Sequence, residues 1–517
     1  MGKKRALISV YDKRGIVDFA RELVQKYDYE IISTGGTYET LKENGIEALE
    51  VSSVTEFPEL LGGKVKTLHP KIFAGILTSR THQDELNEIK EKGITPVDMV
   101  VVNLYPFEEA SKDYYMELQY LIQFIDIGGV SLLRAAAKNY FYVASVYSPD
   151  MYEKVLAELE ENIGNTTYEL RKELAINTFQ YTSSYDAIIA EQFYARTAVL
   201  SPEHMPDIFN LSLKKKQELR YGENPHQKAA LYKSDLNLDF EVLHGKELSY
   251  NNLVDLTAAL NIVSEFIDMP AACVIKHNNP CGVALGNDIT EAYIKAFNCD
   301  PISAFGGIIG LNEPVTKQIA ELAKDIFLEV IVAPDFTEEA LEILKSKKNL
   351  RLVKIPVGML EYRYTQKFNV KNLPFGTLVQ TMDQAELSKD TFNVVTSRKP
   401  TAEQVEDMLF AWKVVKHVGS NAIVVAKNKM TIGIGMGQTS RIVSMEIALS
   451  KACDETKDAV IASDGFFPAV DNIYAAAQER IGAIIQPGGS IKDQDVIAEA
   501  DKYDIAMICT GIRHFRH

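Results

Sequence analysis

The sequence predicts an α/β protein with two domains. Short apolar runs at positions 6–10, 30–33 and 98–103 alternate with stretches whose apolar residues recur at helical spacing. This alternation is typical of a parallel sheet with helices on both faces. The length of 517 residues exceeds that of a single core, since domains usually have ~100–200 residues. Because a polar segment with prolines at 202 and 206 follows a long helical stretch, we expect domains at 1–199 and 200–517.

The composition excludes several classes of protein. A formal charge of −16 gives no global positive field, which argues against a general binder of nucleic acids or anionic membranes. The five cysteines, at positions 273, 281, 299, 453 and 509, include no C-x-x-C pair, a pattern typical of a reducing cytoplasm. The charged start is unlike a signal peptide, and we find no apolar run of the ~18–20 residues that a membrane span needs. We therefore expect a cytoplasmic protein with no nucleic-acid or membrane partner.

Two strands of the first domain end in residues suited to phosphate binding. One ends at Ser33 and is followed by the Thr-Gly-Gly-Thr turn at 34–37, which contains Gly36 and leads into a helix. Such a turn presents backbone N–H groups and a helix N-terminus to an anion. Ser9, also at a strand end, can face the same pocket. The alternative is a tight connection between strand and helix, which glycine permits.

A basic segment follows at 61–70, where Lys64 and Lys66 stand two positions apart. In an extended chain these residues share one face, and two neighbouring ammonium groups repel each other unless an anion lies between them. The apolar residues Val65 and Leu68 favour burial over the alternative, a solvated basic loop. The segment therefore predicts a second contact with an anion.

A further pair of motifs adds groups that can transfer protons. The buried strand at 98–103 runs into a turn that contains Tyr105, and Asp126 precedes a second Gly-Gly pair at 128 and 129. A carboxylate beside a glycine turn can accept a proton from a substrate. Alternatively, Asp126 is only the cap of the helix that follows.

The second domain is organised around the apolar run 271–275, which ends in Lys276 and His277. We expect this run to be a buried strand where a parallel sheet opens into a loop, because ligands bind at such strand ends. An adjacent ammonium disfavours the charged imidazolium, so a neutral His277 can take a proton while Lys276 gives one. The alternative is a histidine satisfied by main-chain groups beside a solvated lysine.

Three other patterns of the second domain bear on function. The guanidinium of Arg220 can bind a phosphate through two parallel hydrogen bonds, and Tyr221 adds an aromatic surface beside it. The alternative is that both residues belong to a structural turn. The glycines at 433, 435 and 437 do not form a dinucleotide fingerprint, because the third spacing is wrong. Pro280-Cys281 matches part of a zinc-deaminase signature, but position 284 is Ala284 and no H-x-E accompanies it. We therefore expect no metal site.

The motifs of the first domain resemble one half of a known enzyme family. In order and spacing, segments 33–37, 62–70, 103–107, 126–130 and 134–139 are similar to the IMP cyclohydrolase half of AICAR transformylase/IMP cyclohydrolase, a bifunctional family of purine biosynthesis. The resemblance implies a methylglyoxal-synthase-like, doubly wound parallel sheet, which closes formyl-AICAR (FAICAR) to IMP with loss of water. Some members carry arginine where this chain has Lys64. An arginine binds phosphate through two hydrogen bonds, whereas the lysine ammonium acts as a point charge. The implied ribotide contacts are Ser9, Lys13, Ser33, Gly36, Lys64, Thr67 and Gly128, and the implied residues around the closing ring are Lys66, Tyr105, Asp126 and Lys138.

The motifs of the second domain resemble the transformylase half of the same family. They lie at 219–227, 244–252, 274–282, 300–307, 419–427, 432–441, 462–468, 486–491 and 513–515. The resemblance implies a cytidine-deaminase-like α/β transformylase domain with two similar subdomains and no zinc. It also implies a homodimer in which a second subunit completes the transformylase site.

The implied reaction is formyl transfer from the co-substrate 10-formyltetrahydrofolate to the 5-amino group of AICAR. In this reading, His277 takes the amine proton, Lys276 stabilises the oxyanion or protonates the leaving folate nitrogen, and Asn421 orients the formyl oxygen. The implied ribotide contacts are Arg220, Tyr221 and Arg513 with the main chain of Gly307 and Arg441, and the implied folate contacts are Phe466, Pro468 and Asp471.

Overall fold

The computed structural model describes residues 3–113, 115–197, 205–233, 239–361, 368–388 and 392–517. The chain divides into two compact units, Met1–Ser212 and Leu213–His517. The domain boundary that we expect between 199 and 200 lies outside the described residues.

The first unit is built on a five-stranded sheet. Its strands are β1 (Lys4–Val10), β2 (Tyr29–Ser33), β3 (Leu49–Glu50), β4 (Met99–Asn103) and β5 (Ala144–Val146). Their order across the sheet is β3-β2-β1-β4-β5, and every neighbouring pair is parallel. The chain therefore starts in the middle of the sheet and winds outward to both edges.

Helices cover both faces of this sheet, because alternate residues of each strand point to opposite sides. Ala6 and Ile8 pack with Phe19 in one layer, whereas Leu7 packs with Leu132 in the other. This arrangement confirms the predicted doubly wound parallel sheet. The helices are α1 (Ile16–Tyr27), α2 (Gly35–Glu43), α3 (Val51–Thr55), α4 (Pro70–Leu77), α5 (Gln83–Glu91), α6 (Phe107–Ser111), α7 (Leu118–Leu121), α8 (Gly128–Lys138), α9 (Tyr152–Glu161) and α10 (Tyr168–Arg196).

One stretch of this unit, Leu118–Lys138, is long and apolar enough to cross a membrane by length and composition alone. Our expectation that no such run exists is therefore wrong. In the structure the stretch comprises α7 and α8, with residues 122–127 between them. Leu132, Leu133 and Ala136 of α8 pack into the core of the unit, and Asp126 lies in the connecting segment.

The second unit contains a twelve-stranded sheet and two separate hairpins. The hairpins pair β6 (Lys214–Leu219) with β7 (Ala229–Lys233), and β14 (Phe368–Leu373) with β15 (Gly376–Thr381). The large sheet has the order β16-β21-β20-β19-β17-β18-β10-β9-β11-β12-β13-β8. Its strands are β8 (Glu241–His244), β9 (Ala271–Lys276), β10 (Asn279–Leu285), β11 (Ile308–Leu311), β12 (Val330–Ala333), β13 (Arg351–Lys354), β16 (Asn393–Val394), β17 (Ile423–Lys427), β18 (Met430–Gly435), β19 (Val460–Ser463), β20 (Ala483–Gln486) and β21 (Ala506–Cys509).

The large sheet consists of two similar halves that meet where β10 pairs with β18. In each half an antiparallel hairpin, β9–β10 or β17–β18, is followed by parallel strands. A Cβ on Gly282 would clash with the carbonyl oxygen of Ala296, and a Cβ on Gly433 would clash in the same way with that of Ala448. This repeated close packing of strand on helix agrees with the predicted pair of similar subdomains. The helices are α11 (Tyr250–Val263), α12 (Ile289–Asn298), α13 (Pro301–Ala304), α14 (Lys317–Ala323), α15 (Glu338–Leu344), α16 (Ala402–Val415), α17 (Arg441–Ala452), α18 (Asp471–Gln478) and α19 (Asp493–Lys502).

The strand that carries Lys276 does not lie in a parallel environment. β9 pairs antiparallel with β10 on one side and with β11 on the other, and parallel pairing begins only between β11 and β12. The prediction of a parallel sheet opening into a loop at this point is therefore wrong. Lys276 instead ends the first strand of a tight hairpin, whose turn residues His277 and Asn278 have φ values of 52° and 62°. Two consecutive positive φ angles are typical of a two-residue hairpin turn.

Candidate functional site

In the first unit, side-chain hydrogen bonds join the carboxyl ends of β1 and β2. The hydroxyl oxygens of Ser9 and Thr34 lie 2.8 Å apart. Thr37 Oγ1 accepts from the N–H of Val10 at 3.1 Å and donates to its carbonyl oxygen at 3.0 Å. These bonds fix the first turn of α2 at the edge of the sheet, where a Cβ on Gly36 would meet open space. The helix N-terminus is thus open to an anion.

Ser33 cannot contact a ribotide through its hydroxyl in this structure. Its side chain is fully buried and donates to the carbonyl oxygen of Ile8 at 2.8 Å. The hydroxyl therefore ties β2 to β1, which leaves only the main chain of Ser33 for the predicted contact.

Asn103 holds the turn that follows β1. Its Oδ1 accepts from the N–H groups of Tyr11 and Asp12 at 2.6 and 2.8 Å, and its Nδ2 donates to the carbonyl oxygen of Asp12 at 2.9 Å. From this turn Lys13 Nζ reaches back to a β1 carbonyl oxygen at 2.8 Å. Burial lowers the pKa of Lys13, Asp12 opposes this effect and the ammonium of Lys66 adds to it. Two cationic groups therefore approach each other at this edge of the sheet.

Lys64 and Lys66 do not share one face, contrary to our prediction. Lys66 Nζ lies 3.7 Å from Glu59 Oε1, and a Cβ on Gly35 would lie only 2.6 Å from that ammonium. Lys64 Nζ instead donates to Gln123 Oε1 at 3.4 Å. The backbone turns here rather than extending, so Lys66 faces the N-terminus of α2 and Lys64 faces another element.

The burial predicted for the basic segment is wrong for its apolar residues. Val65 and Leu68 are 36% and 37% exposed, whereas Thr67 is 6% exposed. Thr67 Oγ1 lies against the first residue of α8, since a Cβ on Gly128 would lie 2.8 Å from it. Thr67 thereby connects the segment to the start of α8.

Asp126 is held at the start of α8 by a small network of hydrogen bonds. Its Oδ1 accepts from the N–H of Gly129 at 2.7 Å. Its own N–H donates to the hydroxyl of Tyr185 at 2.8 Å, which donates to the carbonyl oxygen of Phe124 at 2.9 Å. Burial raises the pKa of the Asp126 carboxyl, while hydrogen bonds from the N–H groups of Gly129 and Tyr105 oppose the shift. The partly buried carboxyl thus caps the start of α8, and its raised pKa makes it a stronger base than an ordinary aspartate.

The structure places Tyr105 close to this carboxyl but not Lys138. The Tyr105 ring packs edge-on against Tyr11 with a centroid distance of 5.6 Å. Burial raises the pKa of Tyr105, with further contributions from Asp126 and Tyr11, so its hydroxyl remains a proton donor. Lys138 is exposed and ends α8, ~15 Å along the helix from Gly128 at 1.5 Å per residue. Within this unit, Lys138 is therefore separated from the other predicted residues.

In the second unit, a carboxylate of the preceding helix holds the His277 turn. Asp255 of α11 accepts the N–H of Asn278 at 2.6 Å. Burial raises the pKa of Asp255, whereas hydrogen bonds from the N–H groups of Asn278 and His277 and the charge of His277 oppose the shift. The side chain of His277 is exposed. It therefore faces solvent rather than a packed interior, as a residue that exchanges protons with a substrate must.

The ammonium of Lys276 has a structural contact that recurs in the other half of the sheet. Lys276 Nζ donates to the carbonyl oxygen of Phe305 at 2.8 Å. At the corresponding position Lys427 Nζ donates to the carbonyl oxygen of Lys457, also at 2.8 Å. Because both halves have it, this contact belongs to the repeated fold.

The carboxylate beneath the turn recurs as well. Asp407 of α16 accepts the N–H groups of Asn428 and Lys429 at 2.9 and 2.7 Å, as Asp255 does for the first turn. Asn428 stands in the second turn where His277 stands in the first. The histidine is thus the group that distinguishes the first turn chemically.

Asn421 lies in a polar cluster at the start of β17. Its Oδ1 accepts from Arg441 at 2.7 Å, and its Nδ2 donates to the carbonyl oxygen of Gln438 at 2.9 Å. Arg441 also forms an ion pair with Asp464, and these two side chains are 5% and 0% exposed. Since the guanidinium is buried, the predicted ribotide contact of Arg441 is limited to its main chain at the start of α17.

The His277 turn and the Asn421 cluster lie at the same end of the large sheet. Asn279, which follows the turn, accepts the N–H of Gly419 on its Oδ1 at 2.9 Å. Gly419 is two residues from Asn421. The structure therefore brings together the two groups that the sequence predicts to act on one substrate.

The residues predicted to contact the pterin lie next to this cluster. Phe466 is 38% exposed, and Pro468 is exposed as well. The ring of Phe515 packs against the loop that leads into Phe466, since a Cβ on Gly465 would lie 2.7 Å from this ring. The guanidinium of Arg513 lies 4.3 Å from the centroid of the Phe515 ring. An exposed aromatic surface with a cation thus borders the Asn421 cluster.

Arg220 and Tyr221 lie at the end of β6, where the guanidinium is 5.5 Å from the ring centroid. The carbonyl oxygen of Glu223 in the same loop accepts from Asn251 Nδ2 at 3.3 Å. Asn251 and Asp255 are four residues apart in α11 and share one face of the helix. The same helix face thus connects the Arg220 loop to the His277 turn.

Two further predicted residues have local structural contacts. Gly307 donates its N–H to the carbonyl oxygen of Ala304 at 3.0 Å, and a Cβ there would lie 2.8 Å from the carbonyl oxygen of Ile275. The glycine therefore permits close approach to β9 just before Lys276. Asp471 is exposed and accepts the N–H of Asn472 at 2.8 Å.

Comparisons with known proteins relate both units to one family. The model of the AICARFT/IMPCHase bienzyme family matches residues 136–451, and that of the MGS-like domain matches residues 15–131. The bifunctional purine biosynthesis protein PurH of Caldicellulosiruptor saccharolyticus is 50% identical over 99% of this chain and 100% of its own. The proteins of the same name from Anoxybacillus flavithermus and Bacillus cytotoxicus are 49% and 47% identical, each over 100% of both chains.

The chain belongs to the AICARFT/IMPCHase bienzyme family. This confirms the resemblance of both sets of motifs, and the MGS-like match confirms the expected fold of the first unit. As the family's description states, a bienzyme of this kind combines AICAR formyltransferase with IMP cyclohydrolase. Among the described residues, no group of three or more His, Cys, Asp or Glu side chains is arranged to hold a metal ion.

Sequence reasoning missed four residues that contact the candidate site residues or their neighbours: Glu59, Asp255, Asp464 and Arg516. Asp464 follows a strand and precedes a glycine, so the rule that found Asp126 could have found it as well. The other three carry no local signal, because each contacts a partner that is distant in the sequence or lies in an irregular loop.

Proposed function

We propose that this bienzyme transfers the formyl group of 10-formyltetrahydrofolate to AICAR in its second unit and closes FAICAR to IMP in its first. The observation that carries the proposal is the presence of two separate sets of groups, one in each unit. In the first, Asp126 is a partly buried proton acceptor and Lys66 with Lys13 supplies positive charge. In the second, His277 is an exposed imidazole beside Lys276.

Formyl transfer requires activation of a weak nucleophile. The 5-amino group of AICAR is conjugated with its imidazole ring, so His277 accepts the amine proton as the nitrogen attacks the formyl carbon. Lys276 uses one of its three hydrogens on Phe305 and stabilises the oxyanion with another. Asn421 uses one amide hydrogen on Gln438 and keeps the second for the formyl oxygen. The intermediate then expels N10 of the folate, which takes up a proton to give tetrahydrofolate and FAICAR.

The surroundings of this site fit the two substrates. Arg220 and Arg513 supply cations for the ribotide phosphate, each beside an aromatic ring. The exposed Phe466 and Pro468 offer an apolar surface to the pterin, with Asp471 as a hydrogen-bond acceptor nearby. The remaining ribotide contacts in this proposal are Tyr221 and the main chain of Gly307 and Arg441.

Cyclisation in the first unit joins two groups of one molecule. The carboxamide nitrogen of FAICAR attacks its own formyl carbon and gives a proton to Asp126, while Lys66 with Tyr105 stabilises the oxyanion. The oxyanion takes that proton back from Asp126, and the resulting hydroxyl leaves as water with the hydrogen of the former formamide nitrogen. Because the reaction is intramolecular, orientation in the site supplies much of the acceleration. The ribotide contacts in this proposal are Ser9, Lys13, Gly36, Lys64, Thr67 and Gly128 with the main chain of Ser33. Lys138 stays a prediction from the resemblance, since it lies at the far end of α8.

The two reactions belong together for a thermodynamic reason. Formyl transfer to so poor an amine is close to thermoneutral or unfavourable, and the ring closure that follows draws it forward. We further propose a cytoplasmic homodimer with shared transformylase sites and no nucleic-acid or membrane partner. The net charge of −16 supports the lack of polyanionic partners, and the free cysteines support the location.

The direct test supplies purified protein with AICAR and 10-formyltetrahydrofolate. We expect IMP and tetrahydrofolate in equal amounts. Absence of IMP with no consumption of folate would refute the proposed function.

The repeated fold offers a matched control for the second site. Lys276→Met and Lys427→Met each remove an ammonium that donates to a main-chain carbonyl oxygen at 2.8 Å. We expect only Lys276→Met to reduce formyl transfer, by about 10²-fold for one electrostatic stabiliser. Equal rates in the two variants would show that Lys276 has only its structural contact.

A further inference from the structure

Arg516, the penultimate residue, joins the two parts of the transformylase site. Its Nη2 donates to Asn278 Oδ1 at 2.7 Å, and its Nη1 donates to the carbonyl oxygen of Asn278 at 3.3 Å. Nη1 also donates to the carbonyl oxygen of His417. The carbonyl oxygen of Arg516 accepts the N–H of Ser420 at 3.0 Å. One residue therefore contacts both the histidine turn and the segment that leads into β17.

These contacts complete the support of the histidine turn. Asp255 accepts the N–H of Asn278 from the side of α11, while Arg516 binds the carbonyl oxygen and the side chain of the same residue. Asn278 is thus held at both its donor and its acceptor groups. The main chain on which His277 stands is consequently fixed in its left-handed conformation.

The segment on the other side of Arg516 is anchored as well. His417 Nε2 lies 2.9 Å from Glu265 Oε1, and Lys416 Nζ lies 3.2 Å from the same oxygen. The side chain of Glu265 is only 4% exposed, and burial lowers the pKa of His417. The carbonyl oxygen that Arg516 binds therefore belongs to a segment held by a buried cluster. A guanidinium between two anchored elements fixes the separation of these elements.

We propose that Arg516 is a positioning residue for formyl transfer, which sets the placement of His277 relative to Asn421. The inference rests on the proposed function of this site and extends it to a residue with no substrate contact in that proposal. A planar guanidinium donates in two directions at once, which the point charge of a lysine does not reproduce. Since a misplacement of about 1 Å can reduce a rate ~10²-fold, loss of this connection lowers kcat more than it alters substrate binding.

The test compares Arg516→Ala and Arg516→Lys with the wild-type chain. Arg398→Ala is the matched control, since this arginine also donates to a main-chain carbonyl oxygen, that of Asp504 before β21. We expect kcat for formyl transfer to fall ~10- to 100-fold in both Arg516 variants, with KM for AICAR changed by less than about 3-fold. Cyclisation of supplied FAICAR should keep its wild-type rate, and an unchanged urea midpoint of Trp412 fluorescence would show that the second unit is folded. Arg398→Ala should keep both activities.

A second measurement separates positioning from a merely structural role. Guanidinium ion at millimolar concentration should restore part of the lost kcat in Arg516→Ala, because it can occupy the vacated site, and should not affect Arg516→Lys. A wild-type kcat in either variant would overturn the proposal, and so would a loss of formyl transfer that guanidinium does not restore. If Arg516→Ala does not fold, the kcat of Arg516→Lys decides alone. A wild-type chain without formyl transfer would instead refute the proposed function itself.

Discussion

Asp126 at the start of α8 provides the sharpest test of the cyclohydrolase site. Its carboxylate accepts the N–H of Gly129 at 2.7 Å, and in the proposed reaction it also accepts the substrate proton. Two substitutions separate these roles. Asp126→Asn keeps an oxygen for the N–H but removes the base, whereas Asp126→Ala removes both.

The expected magnitude follows from the chemistry of the site. General-base catalysis contributes ~10²–10⁴-fold, and the intramolecular reaction retains its orientation without the base. We therefore expect kcat for cyclisation of FAICAR to fall about 10²-fold in Asp126→Asn, equivalent to ~2.7 kcal/mol of barrier. Asp126→Ala should lose a similar amount of activity and, through the missing cap, about 1 kcal/mol of stability as well.

The pH dependence gives an independent signature. Because burial raises the pKa of Asp126, the carboxylate form is lost at a higher pH than for an ordinary aspartate, whose pKa is ~3.9. Wild-type cyclisation should thus fall as pH decreases through the raised pKa, and Asp126→Asn should lack this decrease. The effect on stability has the opposite sign. A raised pKa in the folded state favours the neutral carboxyl, so its contribution to stability is lost as pH rises through that pKa.

The assay measures IMP formation from supplied FAICAR, with the initial rate of tetrahydrofolate release from 10-formyltetrahydrofolate as the control within the same chain. Wild-type cyclisation by Asp126→Asn, together with reduced stability of Asp126→Ala, would show that the carboxyl only caps α8. Equal loss of both activities in Asp126→Asn would show that the substitution disturbs the whole protein.

Three other predictions test separate parts of the structure. His277→Ala should abolish formyl transfer and leave cyclisation of supplied FAICAR intact, and equal loss of both steps would contradict the assignment of two sites. Asp464→Asn leaves a buried guanidinium unpaired, so we expect the second unit to lose about 3–5 kcal/mol of stability. Urea unfolding followed by the fluorescence of Trp412, the only tryptophan, should show a lower midpoint, and an unchanged midpoint would contradict the burial argument. Glu59→Gln releases the ammonium of Lys66 from a carboxylate at 3.7 Å. FAICAR should then bind more tightly, by ~2- to 5-fold for a partly exposed pair, and weaker binding in a titration would show that Glu59 helps to place that ammonium.

The sequence predicts most of the first unit because its signals are local. Apolar runs such as 6–10 and 98–103 become the strands β1 and β4, and the glycines after Asp126 begin α8. The basic segment shows the limit of this approach. A spacing of two places Lys64 and Lys66 on one face only if the chain is extended, and the turn at 64–67 gives them different partners.

The second unit depends more strongly on contacts that no local pattern reveals. The run 271–275 correctly predicts a buried strand, but apolar residues alone do not distinguish parallel from antiparallel pairing. The sequence therefore predicts the wrong kind of sheet at the turn after Lys276. Arg516 contacts Asn278 across 238 residues, so its place in the site becomes visible only once both halves of the sheet are assembled.

The duplicated fold explains why the second unit carries one formyl-transfer site rather than two. Because β10 pairs antiparallel with β18, the turns at 277–278 and 428–429 lie at opposite ends of the large sheet. Asn421, two residues before β17, lies at the same end of the sheet as the first turn. With Lys276 matched to Lys427, the position that corresponds to Asn421 is Pro270, whose side chain can donate no hydrogen bond to a formyl oxygen. Both halves of the sheet therefore contain a hairpin turn that follows a lysine and is bound by an aspartate. The imidazole of His277 and the amide of Asn421, which formyl transfer also requires, lie together only at the end of the sheet that carries the first turn.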